Sequence, residues 1–116
     1  MKTNELIGPA LDWAVAKATL PPDRTPEPSF VDLCVRRNFC PSEAWEQGGP
    51  IIERIKGFQF KQWLESRPES CCEVHIHNYE GDWIQFGPTP LIAAMRCYVA
   101  SKLGDEVEVP AELLGD

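Results

Sequence analysis

No apolar run in the 116-residue chain approaches the roughly 18 residues that a membrane-spanning helix needs, so no membrane partner is expected. Clusters of positive charge are missing too. The largest Lys/Arg group is the pair Arg36-Arg37, and 18 acidic against 11 basic residues leave a net charge of −7. A domain that grips nucleic-acid phosphates presents a basic face, so duplex binding is not expected. A small ligand held locally, or a basic partner protein, suits this charge better. There is no Cys-x-x-Cys spacing, and the five residues between Cys34 and Cys40 fall outside the usual zinc pattern. The Gly-x-Ser-x-Gly elbow, the P-loop and the dinucleotide glycine fingerprint are all absent, which removes the familiar routes to hydrolase, NTPase and NAD chemistry. Residues 1–20 lack the basic start and small-residue cleavage site of a signal peptide, so the protein is expected in the cytoplasm with its five Cys reduced.

What is present is enough for a core. Hydrophobic residues make up 43% of the chain, including four Trp and five Phe, and the length suits one domain spanning 1–116. Pro is about twice its ordinary share, with six of eleven between Pro21 and Pro50, which places an exposed loop at about 20–29.

The clearest element lies near the end. Thr89 suits an N-cap, Pro90 the first helical position and Gly104 the C-terminal stop, while Leu91, Ala94, Met95, Tyr98 and Leu103 make one apolar stripe. A second helix is expected over 3–18, with Gly8-Pro9 leaving open a start at Pro9 after a separate turn. Residues 30–36 read as a short strand. Ser42 reads as an N-cap, and Gly48-Gly49-Pro50 as a tight turn feeding a short helix through Ile55. Phe58, Phe60 and Gln62 alternate as a strand. A hairpin over 72–86 turns at Glu80-Gly81-Asp82, its apolar face formed by Val74 and Ile76 with Ile84 and Phe86. Val107-Glu108-Val109 reads as an edge strand. The sum is an α+β fold: an N-terminal helix, a small antiparallel sheet and a long C-terminal helix packed on it. A stripe that wide leaves apolar surface for a second copy to cover, so a homo-oligomer is expected.

Two blocks, Pro41–Arg54 and Gly87–Val109, with a weaker stretch from Leu6 to Lys17, resemble the NinX family of tailed phages. The first carries Trp45, then Gly48-Gly49-Pro50, then the apolar-apolar-acidic-basic run Ile51-Ile52-Glu53-Arg54. The resemblance implies a small phage accessory protein made in the host bacterial cytoplasm. It brings no assigned activity, and it does not reach residues 21–40 or 57–82.

Residue chemistry then bounds the function. His75 and His77, two apart on a strand, project from one face and could share a metal with a third group, with Cys71 and Glu73 on the same side. A solvent-facing strand face of this kind needs no ion to explain it, and no metal or cofactor is expected. Cys71 or Cys72 with His75 would make a poorly oriented nucleophile pair. Trp45 and Trp83 offer flat faces near glycine turns, Gly48 and Gly49 could bring backbone N–H groups to an anion, and Arg96 is the best single cation unless it pairs with a surface Glu. The expected ligand set is therefore Trp45, Gly48, Gly49, Glu53, Arg54, Trp83, Thr89 and Arg96. It would line a groove between the Trp45–Arg54 segment and the C-terminal helix. This favours a non-enzymatic binder that captures a small polar ligand, a nucleotide-type defence signal among them. The alternatives are an interaction module that inhibits a host protein, and a small metal-dependent enzyme built on His75 and His77.

Overall fold

The computed structural model describes residues 1–63 and 67–114. Among the described residues four α-helices, α1 (Gly8–Thr19), α2 (Ser29–Val35), α3 (Trp45–Arg54) and α4 (Pro90–Leu103), accompany three strands, β1 (Phe58–Gln62), β2 (Cys72–Asn78) and β3 (Gly81–Gly87). The strands form an antiparallel meander with β2 in the centre. One face of the sheet packs on α4, α1 packs on the opposite side of α4, and α2 and α3 flank these two helices. The fold is α+β, with the C-terminal helix on the sheet as expected. Among the described residues no helix is long and apolar enough to cross a membrane.

The limits of α4 follow from its terminal residues. The Thr89 Oγ1 accepts the Ile92 N–H at 3.1 Å, Pro90 opens the first turn, and Gly104 ends the helix at φ +91°. Its sides differ from the single stripe that the spacing predicts. Every residue from Leu91 to Cys97 is buried, as are Val99 and Ala100, because layers cover the helix on both sides. The apolar surface on which an oligomer was expected is thus covered within the chain.

α1 starts at Gly8, after a short turn over Thr3–Glu5, which is the later of the two starts that Gly8-Pro9 left open. The 20–28 stretch is loop, as its prolines require. Residues 29–35 are helical rather than extended. Phe30, Val31 and Cys34 pack on the core at helical spacing, a pattern visible only when Cys34 is counted as apolar. The expected edge strand at 107–109 does not join the sheet. Glu106 instead makes a single antiparallel bridge to Lys2, flanked by Met1–Val107 backbone bonds.

The hairpin exists, but β3 has the opposite phase from that expected. A two-residue loop, Tyr79-Glu80, sets Asn78 against Gly81, which places Trp83 opposite Ile76 and Ile84 opposite His75. Trp83 therefore packs against the core, while Ile84 and Phe86 stand 46% and 43% exposed on the outer face. A one-residue slip moves every side chain across the sheet.

The segment 45–54 is one helix, not a turn and a helix. Ser42 does not cap it. Its N–H donates to the Asp12 Oδ1 at 2.9 Å, and Ala44 precedes the first turn. Asp12 is fully buried on α1, where desolvation raises its pKa against the pull of Ser42 and Arg37. Arg37 lies near the second Asp12 oxygen, at 3.6 Å, and also pairs with Glu43, so the 37–43 loop is held to α1 by one buried carboxylate. Gly48 lets α3 approach this loop. A Cβ there would sit 2.4 Å from the Pro41 carbonyl oxygen and 2.7 Å from the Leu91 Cδ2, whereas one at Gly49 would meet nothing within 4 Å. Tertiary contact thus overrides the turn propensity of Gly-Gly-Pro.

Gly48→Ala is expected to destabilise the protein by roughly 1–3 kcal/mol through overpacking, and Gly49→Ala to stabilise it by about 0.5–1 kcal/mol by restricting the unfolded chain. Urea denaturation of the two variants distinguishes this arrangement from a flexible turn, in which both substitutions would act alike.

Candidate functional site

α3 and α4 lie side by side with their N-terminal ends together, and their contact at Gly48 and Leu91 divides the surface between them into two clefts. The larger, of about 510 Å³, lies at the C-terminal ends. The last turn of α3 and the residues after it contribute Ile51, Arg54, Ile55 and Lys56, the hairpin tip contributes Ile76, Asn78, Tyr79 and Glu80, and α4 contributes Tyr98, Ser101 and Lys102. Asn78 fixes the tip. Its Nδ2 donates to the Lys56 carbonyl at 3.0 Å and its Oδ1 accepts the Glu80 N–H at 2.9 Å. Gly57 adds a third tie, its carbonyl accepting the His77 N–H at 3.0 Å.

The cleft has an apolar floor at the buried Ile51 and Ile76, and an aromatic rim. Tyr79 is fully exposed and Tyr98 partly buried. Burial pushes the Tyr98 phenol up against the opposing pull of Arg54, so it remains a neutral donor at physiological pH. Arg54, Lys56 and Lys102 bring three positive charges. Glu80 and the negative ends of two helix dipoles, about half a charge each, offset roughly two of them. The remainder is near +1 in a chain whose net charge is −7. Among the described residues none of the three cations is in an ion pair.

The smaller cleft, of about 320 Å³, lies between Trp45 and Thr89, with Ser42, Glu43 and the start of α4 around it. Trp45 is 59% exposed there. No cation lines this cleft, and the Thr89 hydroxyl already accepts from Ile92.

The expected ligand residues are thus dispersed. Trp45 and Thr89 meet at the small cleft and Arg54 lines the large one. Glu53 is exposed on α3 outside both. Gly48 and Gly49 lie inside a helix, where the Gly48 N–H is taken by the Ala44 carbonyl at 2.9 Å, so no glycine turn presents free amides. Trp83 packs against the core. Arg96 matches neither of its readings. It is 9% exposed, its Nε donates to the Leu6 carbonyl at 2.8 Å and its Nη1 to the Phe86 carbonyl at 2.7 Å. Lys56, Tyr79, Tyr98 and Lys102 carry no motif that marks them in the sequence; only the fold gathers them.

On the outer face of the sheet His75, His77 and Asp82 stand together, with the His75 Nε2 against the Asp82 Oδ1 and the His77 Nδ1 3.3 Å from the same oxygen. These contacts, that of His75 first, hold the Asp82 carboxyl below the usual range. Cys72 faces the opposite side, into the core, and Cys71 turns toward the Pro88 carbonyl, so neither thiol shares this face. Burial pushes Cys34 and Cys72 up to about 11 and Cys97 up to about 12, which leaves them as protonated packing groups at neutral pH.

Arg96→Met strands the buried Leu6 carbonyl and the partly buried Phe86 carbonyl, and a loss of roughly 1.5–3 kcal/mol is expected by chemical denaturation. A variant as stable as the parent would remove the structural role assigned to this side chain.

A family model described as Bacteriophage P22, NinX matches residues 2–102, and the chain belongs to that family. No curated protein matches the chain.

Proposed function

We propose that this NinX-family phage accessory protein is a non-enzymatic binder that captures a small nucleotide-type ligand in the 510 Å³ cleft between α3, the hairpin tip and α4. The observation that supports this most is the local reversal of charge. An apolar floor, two tyrosines and three cations meet on the surface of an acidic protein. The volume is that of a small-molecule site. A base would lie on Tyr79 or Tyr98 over Ile51 and Ile76, and phosphate would face Arg54, Lys56 and Lys102. Asn78 and Ser101 supply polar contacts. A local charge near +1 suits a mononucleotide or a cyclic nucleotide, with one or two negative charges, better than a triphosphate. Among the described residues the walls carry one carboxylate and no His or Cys, which favours holding a ligand over transforming it. In the host cytoplasm, capture of a signalling nucleotide would withdraw it from a defence response.

A second reading, docking on a host protein, draws support from the outer face of the sheet, where Trp63, Ile84 and Phe86 are each more than two-fifths exposed. A stoichiometric host partner retained after substitution of Arg54 and Tyr79 would favour it.

In thermal-shift assays across mononucleotides and cyclic nucleotides, at least one is expected to raise the Tm. Calorimetry with that nucleotide should show binding weakened by roughly 1–3 kcal/mol in Tyr79→Ala and strongly reduced in Arg54→Ala, with Trp45→Ala unchanged. No response across the panel, or a loss confined to Trp45→Ala, would overturn the proposal.

A further inference from the structure

The outer face of the hairpin carries a cluster that the cleft does not use. His75 and His77 lie two apart on β2, and Asp82, directly opposite His77 on β3, completes a triangle across the two strands. One ring nitrogen of each histidine and a carboxylate oxygen of Asp82 all lie within 4.8 Å of one another. We propose that His75, His77 and Asp82 form a zinc site with three protein ligands, its remaining position open to water or an exogenous ligand.

Three features support the assignment. The donor set, two imidazoles and a carboxylate, is one that zinc takes in sites that keep an open position. The geometry fits as well. Zinc with bonds of about 2.0–2.1 Å holds tetrahedral ligand atoms about 3.3 Å apart, and the His77 Nδ1 and the Asp82 Oδ1 are 3.3 Å apart. The His75 Nε2 lies against the same Asp82 oxygen, so all three groups point at one spot on the outer face. The third feature is rigidity. The ladder from Cys72–Gly87 to Asn78–Gly81 fixes the register, and the ties of Asn78 and Gly57 hold the tip, so little ordering is left for the metal to impose.

Among the described residues no fourth protein group closes the coordination. Glu73 shares the face, but its Oε1 accepts the Trp63 Nε1–H at 2.8 Å. Both His77 and Asp82 are more than half exposed, which gives the ion access from solvent. The site lies outside the residues lining the nucleotide cleft, so it stands or falls separately from the function proposed above.

The test is a calorimetric titration of tag-free, chelator-treated protein with Zn²⁺, paired with the optical spectrum of the Co²⁺-substituted form. One ion per chain is expected. The Co²⁺ spectrum should show d–d bands without the near-ultraviolet charge-transfer band of a thiolate ligand. Affinity should fall at least tenfold in His77→Ala and in Asp82→Ala, whose exposed positions leave folding intact, and stay within twofold in Cys71→Ser. Absence of binding at micromolar zinc, a thiolate band, or His77→Ala and Asp82→Ala binding like the parent would each overturn the assignment.

Discussion

A helix buried on nearly every side has to be tied to both layers that cover it, and in α4 that tie is the guanidinium of Arg96. A cation taken out of water is costly unless its N–H groups find acceptors. Arg96 finds one in the Leu6 carbonyl, just before α1, and another in the Phe86 carbonyl on β3. Burial alone lowers its pKa, yet an arginine stays charged under such a shift, so the two hydrogen bonds remain charge-assisted. The N-terminal layer and the sheet are thereby registered on one helix. Small side chains along it, Ala93, Ala94, Cys97 and Ala100, let both layers approach closely. The C-terminal half of the same helix then presents Tyr98, Ser101 and Lys102 to the hairpin tip, so the cleft inherits its shape from the packing of α4.

The electrostatics of the two ends of the α3–α4 pair diverge for a simple reason. The N-terminal ends carry positive helix poles but gather no basic side chains, and Glu43 beside them is committed to Arg37. The C-terminal ends carry negative poles, where Arg54 and Lys102 are favourably placed by the dipoles themselves, and Lys56 follows in the connection to β1. Cations that stabilise helix ends thus also make a local positive surface. One arrangement would serve folding and, on the function proposed above, ligand attraction together.

The elements that could be read from the sequence are those set by local chemistry. Thr89, Pro90 and Gly104 mark the ends of α4, the Pro-rich 20–28 stretch is loop, and the strict alternation of 73–77 gives β2. The misread elements are those decided by contacts between segments. In Trp83-Ile84-Gln85-Phe86 the apolar residues fit either phase of a strand, and the choice falls to the Tyr79-Glu80 loop and the packing of Trp83. Gly48-Gly49-Pro50 looks like a turn until Pro41 and Leu91 are placed against it. α2 hides because Cys34 does not look apolar. The cleft was legible only at Arg54. Its other groups come from segments around 56, 78–80 and 98–102, none of which is distinctive alone. Asp82, likewise, joins the two histidines only through strand register.

On the function proposed above, an acidic protein holds a nucleotide at a locally positive cleft. The most direct measurement is an amide ¹H–¹⁵N spectrum recorded as the best-binding mononucleotide or cyclic nucleotide is added. Perturbations are expected at 54–57, 78–80 and 98–102, with residues near Trp45 and Thr89 unmoved. Perturbations centred on Trp45 and Thr89, or a spectrum unchanged throughout, would contradict it.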